Sequence, residues 1–239
     1  MSTEPAYRYA IYYAPRPDSP EWQAGSRWLG RCAARQQALA PPDIPGLPAD
    51  AFLRLTAAPR RYGWHGTLKA PFALAEGVTP AQLRDAVHTL CRQLQPFELP
   101  ALQVARLDDF LAMVPTGAEP AINAVQRACV TQLQPLAAPL PPAELQRRRA
   151  AGLSPEEDAL LLRWGYPYVL ERYRFHCSLT GPLRGVAPAV VDALQAAAQS
   201  WFAHLPASRF DAVALLAEPS PGADFVLLEH VPLGPEAGP

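Results

Sequence analysis

The sequence predicts a mixed α+β fold of two equivalent lobes around a central cleft. Three observations lead there. A seven-residue pattern occurs twice, as His65-Gly66-Thr67-Leu68-Lys69-Ala70-Pro71 and as His176-Cys177-Ser178-Leu179-Thr180-Gly181-Pro182, each behind an aromatic residue, Trp64 or Phe175. The elements predicted after each copy run in one order, a helix and then two strands, and the helices open alike with Pro80-Ala81 and Pro188-Ala189. The chain has 239 residues, 49% of them hydrophobic, which suffices for a substantial core. Two copies are too few for a solenoid and natural for a pseudo-twofold pair, so the two histidines are expected on opposite sides of one cleft.

In chain order, Tyr7, Tyr9, Ile11 and Tyr13 alternate with Arg8, Ala10 and Tyr12, which reads as a strand with one aromatic face. Ser19 before Pro20 is a helix start, and the apolar residues Trp22, Trp28, Leu29 and Cys32 carry that helix to about Leu39. Pro41 to Pro48 is a stiff loop, and Ala49 to Pro59 has room for a short helix. The first histidine strand follows. A helix is predicted from Thr79-Pro80 to about Leu94, then strands at Phe97–Leu107 and Phe110–Val114, then a helix over Ala118–Leu136. Residues 135–168 form a proline-rich insertion or lid with helices at Pro142–Ala150 and Ser154–Trp164, the second opened by Ser154-Pro155-Glu156-Glu157. The second histidine strand starts at Val169 or Tyr173. A helix over Pro188–His204 and strands at Phe210–Leu216 and Phe225–His230 complete the chain. Residues 1–239 are thus expected as one bilobal domain, the first lobe at about 50–115 and the second at about 170–232.

Strand geometry gives the repeated pattern its meaning. Side chains alternate faces with period two, so a histidine and the hydroxyl two residues on share a face. Parity groups His65, Thr67 and Lys69 against Trp64, Gly66 and Leu68. It groups Arg174, His176, Ser178 and Thr180 against Phe175, Cys177 and Leu179. One His-x-Thr triplet carries little information; two copies sharing leucine and proline point to a functional pair.

Composition excludes several classes. The formal net charge is -1, so no global field draws the protein to long nucleic acid or to a membrane surface, and no apolar run reaches spanning length. Met1-Ser2-Thr3-Glu4-Pro5 has no basic or apolar leader pattern, and Cys32, Cys91, Cys129 and Cys177 are scattered without a C-x-x-C, which predicts free buried thiols and a cytoplasmic setting. Proline, 29 of 239 residues, exceeds the usual ~5% and stiffens loops and helix starts. No H-x-x-x-H, H-E-x-x-H or G-x-S-x-G pattern supports a zinc enzyme or a serine hydrolase. His88, His204 and His230 have no partnered spacing and are expected at the surface.

The paired motifs, with Tyr9-Ala10-Ile11-Tyr12-Tyr13-Ala14-Pro15, Tyr62-Gly63-Trp64-His65 and Tyr173-Arg174-Phe175-His176 around them, resemble the 2H phosphoesterase superfamily of 2′-5′ RNA ligase-like proteins and cyclic phosphodiesterases. They resemble most its DUF1045 branch, whose members carry the label "putative phosphonate metabolism protein". Ser178 stands where Thr is commoner. The resemblance implies two antiparallel sheets framing a cleft, with helices outside, and phosphodiester chemistry without metal or cofactor. It implies His65 and His176 as the acid/base pair, and Thr67 and Ser178 as ligands of the phosphate oxygens. Lys69 and Arg174 join them as candidate cations by strand parity, and Tyr12 as a residue lining the cleft. The implied partner is a small phosphate ester, a ribose or nucleoside cyclic phosphate such as 5-phosphoribosyl 1,2-cyclic phosphate, acted on by a monomer. A protein of this fold that binds a nucleotide or RNA phosphate without turnover is the alternative, and Arg147-Arg148-Arg149 could meet a second phosphate or face water.

Overall fold

Seven antiparallel strands form the backbone of the structure. The computed structural model describes residues 5–150 and 152–235; Met1-Ser2-Thr3-Glu4, on which the reading of the N-terminus leaned, lies outside them. Strand β1 (Arg8–Tyr13) behaves as its alternation predicts. Tyr9, Ile11 and Tyr13 enter the main core, while Ala10 and Tyr12 join a second cluster with Trp22, Ala214, Leu216 and Phe225. Helix α1 (Pro20–Leu29) is capped by Ser19, whose side chain accepts from the Trp22 amide. It stops ten residues before the expected end, because Gly30 takes the left-handed conformation at its C-terminus, and the hairpin β2 (Arg31–Cys32) and β3 (Gln37–Ala38) follows.

Two short helices, α2 (Ala49–Leu55) and α3 (Ala57–Arg60), lead to β4 (Gly66–Phe72), the first motif strand. Helix α4 (Pro80–Arg92) is opened by a capping box between Thr79 and Gln82 and buries Leu83, Val87, Leu90 and Cys91. Then come β5 (Phe97–Glu98), β6 (Leu102–Leu107), β7 (Phe110–Pro115) and α5 (Pro120–Leu133). The insertion holds α6 (Pro142–Arg149) and α7 (Pro155–Trp164), the latter with the Ser154–Glu157 capping box. It docks through a small core of its own, Val130, Leu160 and Val169. The second motif strand, β8, spans only Cys177–Ser178. It is followed by α8 (Pro188–Phe202), β9 (Arg209–Phe210), β10 (Ala212–Glu218) and β11 (Val226–Pro232).

The large sheet runs β11-β10-β1-β4-β8-β7-β6. Its two antiparallel halves meet between β4 and β8 at one residue pair, Gly66 with Cys177. The segments following the two motifs exchange places. β6 and β7 extend the half that carries the second motif, and β10 and β11 reach the first motif through β1. One half thus combines β1 and β4 with β10 and β11 from the far end of the chain, and the other combines β6, β7 and β8 from between them.

The brevity of β8 is offset by cross-links. The amides of Leu179 and Thr180 donate to the Leu111 carbonyl at 2.8 and 3.2 Å, and the Leu111 amide donates back to the Thr180 hydroxyl at 3.0 Å. Trp28 Nε1 donates to the Leu179 carbonyl at 3.0 Å, and the Tyr173 hydroxyl to the Thr67 carbonyl at 2.9 Å. All four cysteines are buried free thiols, and among the described residues no helix is long and apolar enough to cross a membrane.

Gly66 is fixed by packing: a Cβ there meets the Phe175 ring at 2.6 Å. Gly66→Ala is expected to lower stability by roughly 1–3 kcal/mol through overpacking at the seam, read as a lower denaturation midpoint. An unchanged midpoint contradicts the packing account.

Candidate active site

The junction of the two sheet halves brings the motifs together. With Gly66 opposite Cys177, the antiparallel register sets His65 across from Ser178 and Thr67 across from His176. Each histidine thus faces the hydroxyl of the other motif. All four residues line one cleft of about 500 Å³, together with Tyr12, Thr180 and Phe110.

The two imidazoles are held alike. His65 Nδ1 lies 2.8 Å from the Gly63 carbonyl and His176 Nδ1 2.8 Å from the Arg174 carbonyl. A carbonyl only accepts, so each Nδ1 carries the proton and each neutral ring keeps its lone pair on Nε2. Gly63 makes the first of these turns with φ 77° in the left-handed region, where an added Cβ would also meet Ala33 at 2.6 Å. Tyr12 stacks on His65, with ring centroids 4.2 Å apart, and Phe110 sits 5.5 Å from His176.

Burial governs the protonation of the pair. Burial, opposed by the Gly63 carbonyl and aided by the nearby His176, brings His65 down to about 4. His176 is lowered by burial and partly restored by the Arg174 carbonyl. Both rings are therefore neutral near pH 7.

The cations differ from the parity expectation. Lys69 does not face the cleft. It is buried, donates to Gln134 Oε1 at 2.7 Å, lies 5.0 Å from the Phe72 ring, and burial lowers its pKa to about 8. The cause is a bulge: Tyr12 pairs with Thr67 but Ile11 with Lys69, so one extra residue of β4 reverses the alternation beyond Thr67. Lys69 follows Ile11 into the core, and Ala70 and Pro71 reach the cleft instead. Arg174 is exposed and outside the cleft lining, because β8 begins only at Cys177 and strand alternation does not extend back to it. Its contribution is the carbonyl under His176.

Four other arginines supply the positive charge. Arg8, Arg61, Arg147 and Arg148 line the cleft, and among the described residues no carboxylate does. Arg8 shares its β1 face with Tyr12, a parity signal present in the sequence; Arg61, in the loop before His65, had none. Arg149 turns away to Asp158 at 2.6 Å. Tyr62 and Tyr166 line the cleft, whereas Trp64 is core and Tyr168 is exposed outside it. His88 and His230 are half-buried rather than free at the surface. His88 Nε2 bonds Glu229 at 2.8 Å and His230 Nε2 the Ala14 carbonyl at 3.1 Å. Among the described residues no group of three or more His, Cys, Asp or Glu could hold a metal ion.

A family model described as "Protein of unknown function (DUF1045)" matches residues 67–226, more than half of the chain. The chain belongs to this DUF1045 family. The match starts at Thr67, just past His65, and includes the whole second motif. Two curated relatives are similar over nearly the whole chain. Both are named "Ribose 1,5-bisphosphate phosphokinase PhnN". The one from Janthinobacterium sp. (strain Marseille) is 41% identical over 235 residues, 97% of this chain and 52% of the relative. The one from Laribacter hongkongensis (strain HLHK9) is 40% identical over 224 residues, 94% of this chain and 51% of the relative. The DUF1045 chain therefore spans about half the length of the curated relatives it matches. A solved structure titled "Crystal structure of phosphoesterase" is similar with a TM-score of 0.44 at 12% identity, covering 97% of this chain and 100% of that one.

The depressed histidines have a consequence for stability. The unfolded chain binds a proton on His65 near pH 6.5, and the folded DUF1045 chain only near 4. Between those values the unfolded state holds more protons, so stability rises with pH across the window and falls on acidification. Urea midpoints are expected to drop from pH 6.5 to 4 more steeply in the wild type than in His65→Gln. Equal slopes contradict the shift.

Proposed function

We propose that this protein is a phosphodiesterase that opens a small cyclic phosphodiester by two-histidine acid/base catalysis, without a metal. The observation that carries this reading is the crossed pairing at the seam: two Nε2 lone pairs and two hydroxyls, from two copies of one motif, around a single cleft lined by arginines. The resemblance to 2H phosphoesterases supports it.

In the proposed reaction His65 is the base, since a pKa near 4 keeps its Nε2 unprotonated at working pH. It takes a proton from water, and the oxygen attacks phosphorus in line. The bond from phosphorus to the leaving ribose oxygen breaks, and that oxygen takes the proton carried on His176 Nε2. A bound phosphate anion raises the His176 pKa and so loads this acid only in the complex. Thr67 and Ser178 hydroxyls donate to the non-bridging oxygens as negative charge builds on them.

The names of the curated relatives support one substrate for this reading. Their name gives ribose 1,5-bisphosphate as a phosphokinase substrate, and opening 5-phosphoribosyl 1,2-cyclic phosphate yields that compound. The present sequence holds no G-x-x-x-x-G-K-[ST] phosphate loop, which favours the phosphodiester step over the kinase step for these residues.

His65→Ala and His176→Ala are each expected to cost about 10²–10⁴-fold in kcat/KM on ribose 1,2-cyclic or nucleoside 2′,3′-cyclic phosphates, with chelator leaving the wild-type rate unchanged. A p-nitrophenyl phosphodiester needs no acid for its leaving group, so it should rescue His176→Ala and not His65→Ala. Near wild-type turnover in either single variant contradicts the assignment, and binding without turnover by the wild type indicates a phosphate-binding protein instead.

A further inference from the structure

The four cleft arginines are arranged in two carboxylate-braced pairs. Arg8 Nε donates to Glu218 Oε2 at 2.6 Å, Arg61 donates to Glu218 Oε1, and Glu218 is fully buried. On α6, Arg147 and Arg148 both reach Glu144 Oε1, at 2.7 and 2.9 Å. Two guanidiniums on one carboxylate leave one positive charge per pair. Both pairs line the cleft that holds His65 and His176. The side chains of Arg8 and Arg148 are only 18% and 15% exposed, so water screens these charges incompletely.

A cyclic phosphodiester carries one negative charge, and the histidine and hydroxyl pairs already surround its place. Two further positive charges held in one cleft, with no acid among its described lining residues, repel one another and are relieved by an anion with charge to spare. Guanidiniums fixed by a carboxylate present their remaining N–H donors in a rigid fork that suits phosphate oxygens. Tyr12 relates this cluster to the chemistry, because it packs against His65 at 4.2 Å and meets edge-on the Tyr62 ring, over which Arg61 lies at 5.6 Å.

We infer that the two arginine pairs form a second anion subsite that binds a phosphate monoester on the same ligand whose cyclic phosphodiester meets the histidines. The placement of the reacting group rests on the proposed phosphodiesterase reading; the subsite itself rests on the arginines. The preferred substrate is then a doubly phosphorylated sugar, and Arg147 and Arg148, carried by the insertion, set the preference for it.

Calorimetry on the full chain with ribose 5-phosphate tests this without turnover. The wild type is expected to bind it at one site, with plain ribose not binding. Replacing Arg147 and Arg148 together by Gln should raise the dissociation constant about 10-fold or more, since hydrogen bonds to charged groups are lost. These residues sit on α6, none of whose residues is fully buried, and the freed Glu144 can be solvated, so the fold is expected to survive. Arg149→Gln, on the same helix but paired with Asp158, should bind as the wild type does. Equal binding by the Arg147/Arg148 variant, an equal loss in Arg149→Gln, or binding of ribose as tight as that of ribose 5-phosphate overturns the inference. A chain that opens no cyclic phosphate yet loses ribose 5-phosphate with these two arginines sinks the catalytic reading and supports the subsite.

Discussion

A single backbone pair, Gly66 with Cys177, joins the two halves of the sheet, and the cleft exists because of how it is made. The core side of the pair must take the Phe175 ring, which leaves no room for a side chain at position 66. The opposite side then carries the residues on either flank, and the antiparallel register crosses them, histidine over hydroxyl and hydroxyl over histidine. Two copies of one short pattern thereby become one site with approximate twofold symmetry. Neither copy alone has a neighbour to face.

The electrostatics follow from where that seam lies. It is recessed enough that partial burial lowers both imidazole pKa values and keeps the rings neutral, and the backbone carbonyls beneath them fix which nitrogen holds the proton. Positive charge is kept on the rim, where arginines are tied to Glu218 and Glu144 rather than left loose. Such a cleft is poised for an anion: the ligand raises the imidazole pKa values, and the braced guanidiniums lose little conformational freedom on contact.

Much of this was legible in the residues. The alternation of Tyr9, Ile11 and Tyr13 against Tyr12 gave β1 both of its faces, and the repeated motif gave the four residues that meet at the seam. Parity failed for Lys69 because a bulge is set by pairing with β1, which periodicity in β4 alone does not encode. It failed for Arg174 because β8 is two residues long and is held by Thr180, Trp28 and Tyr173 rather than by ladder length. The early end of α1 was written in Gly30, and the apolar Cys32 beyond it belongs to a hairpin instead. Arg61 and Arg148 come from separate loops and helices, and only the fold places them together. The exchange of strands between halves is likewise tertiary, since the order helix, strand, strand after each motif is satisfied by either pairing.

The account stands most directly on where an anion sits. A crystal structure of the protein with orthovanadate and a ribose ligand reports this. The account predicts the vanadate at the seam, with the Nε2 atoms of His65 and His176 on opposite sides of it within hydrogen-bond reach, and the hydroxyls of Thr67 and Ser178 on its remaining oxygens. Vanadate bound elsewhere in the cleft, or rings presenting Nδ1 to it, would contradict the account.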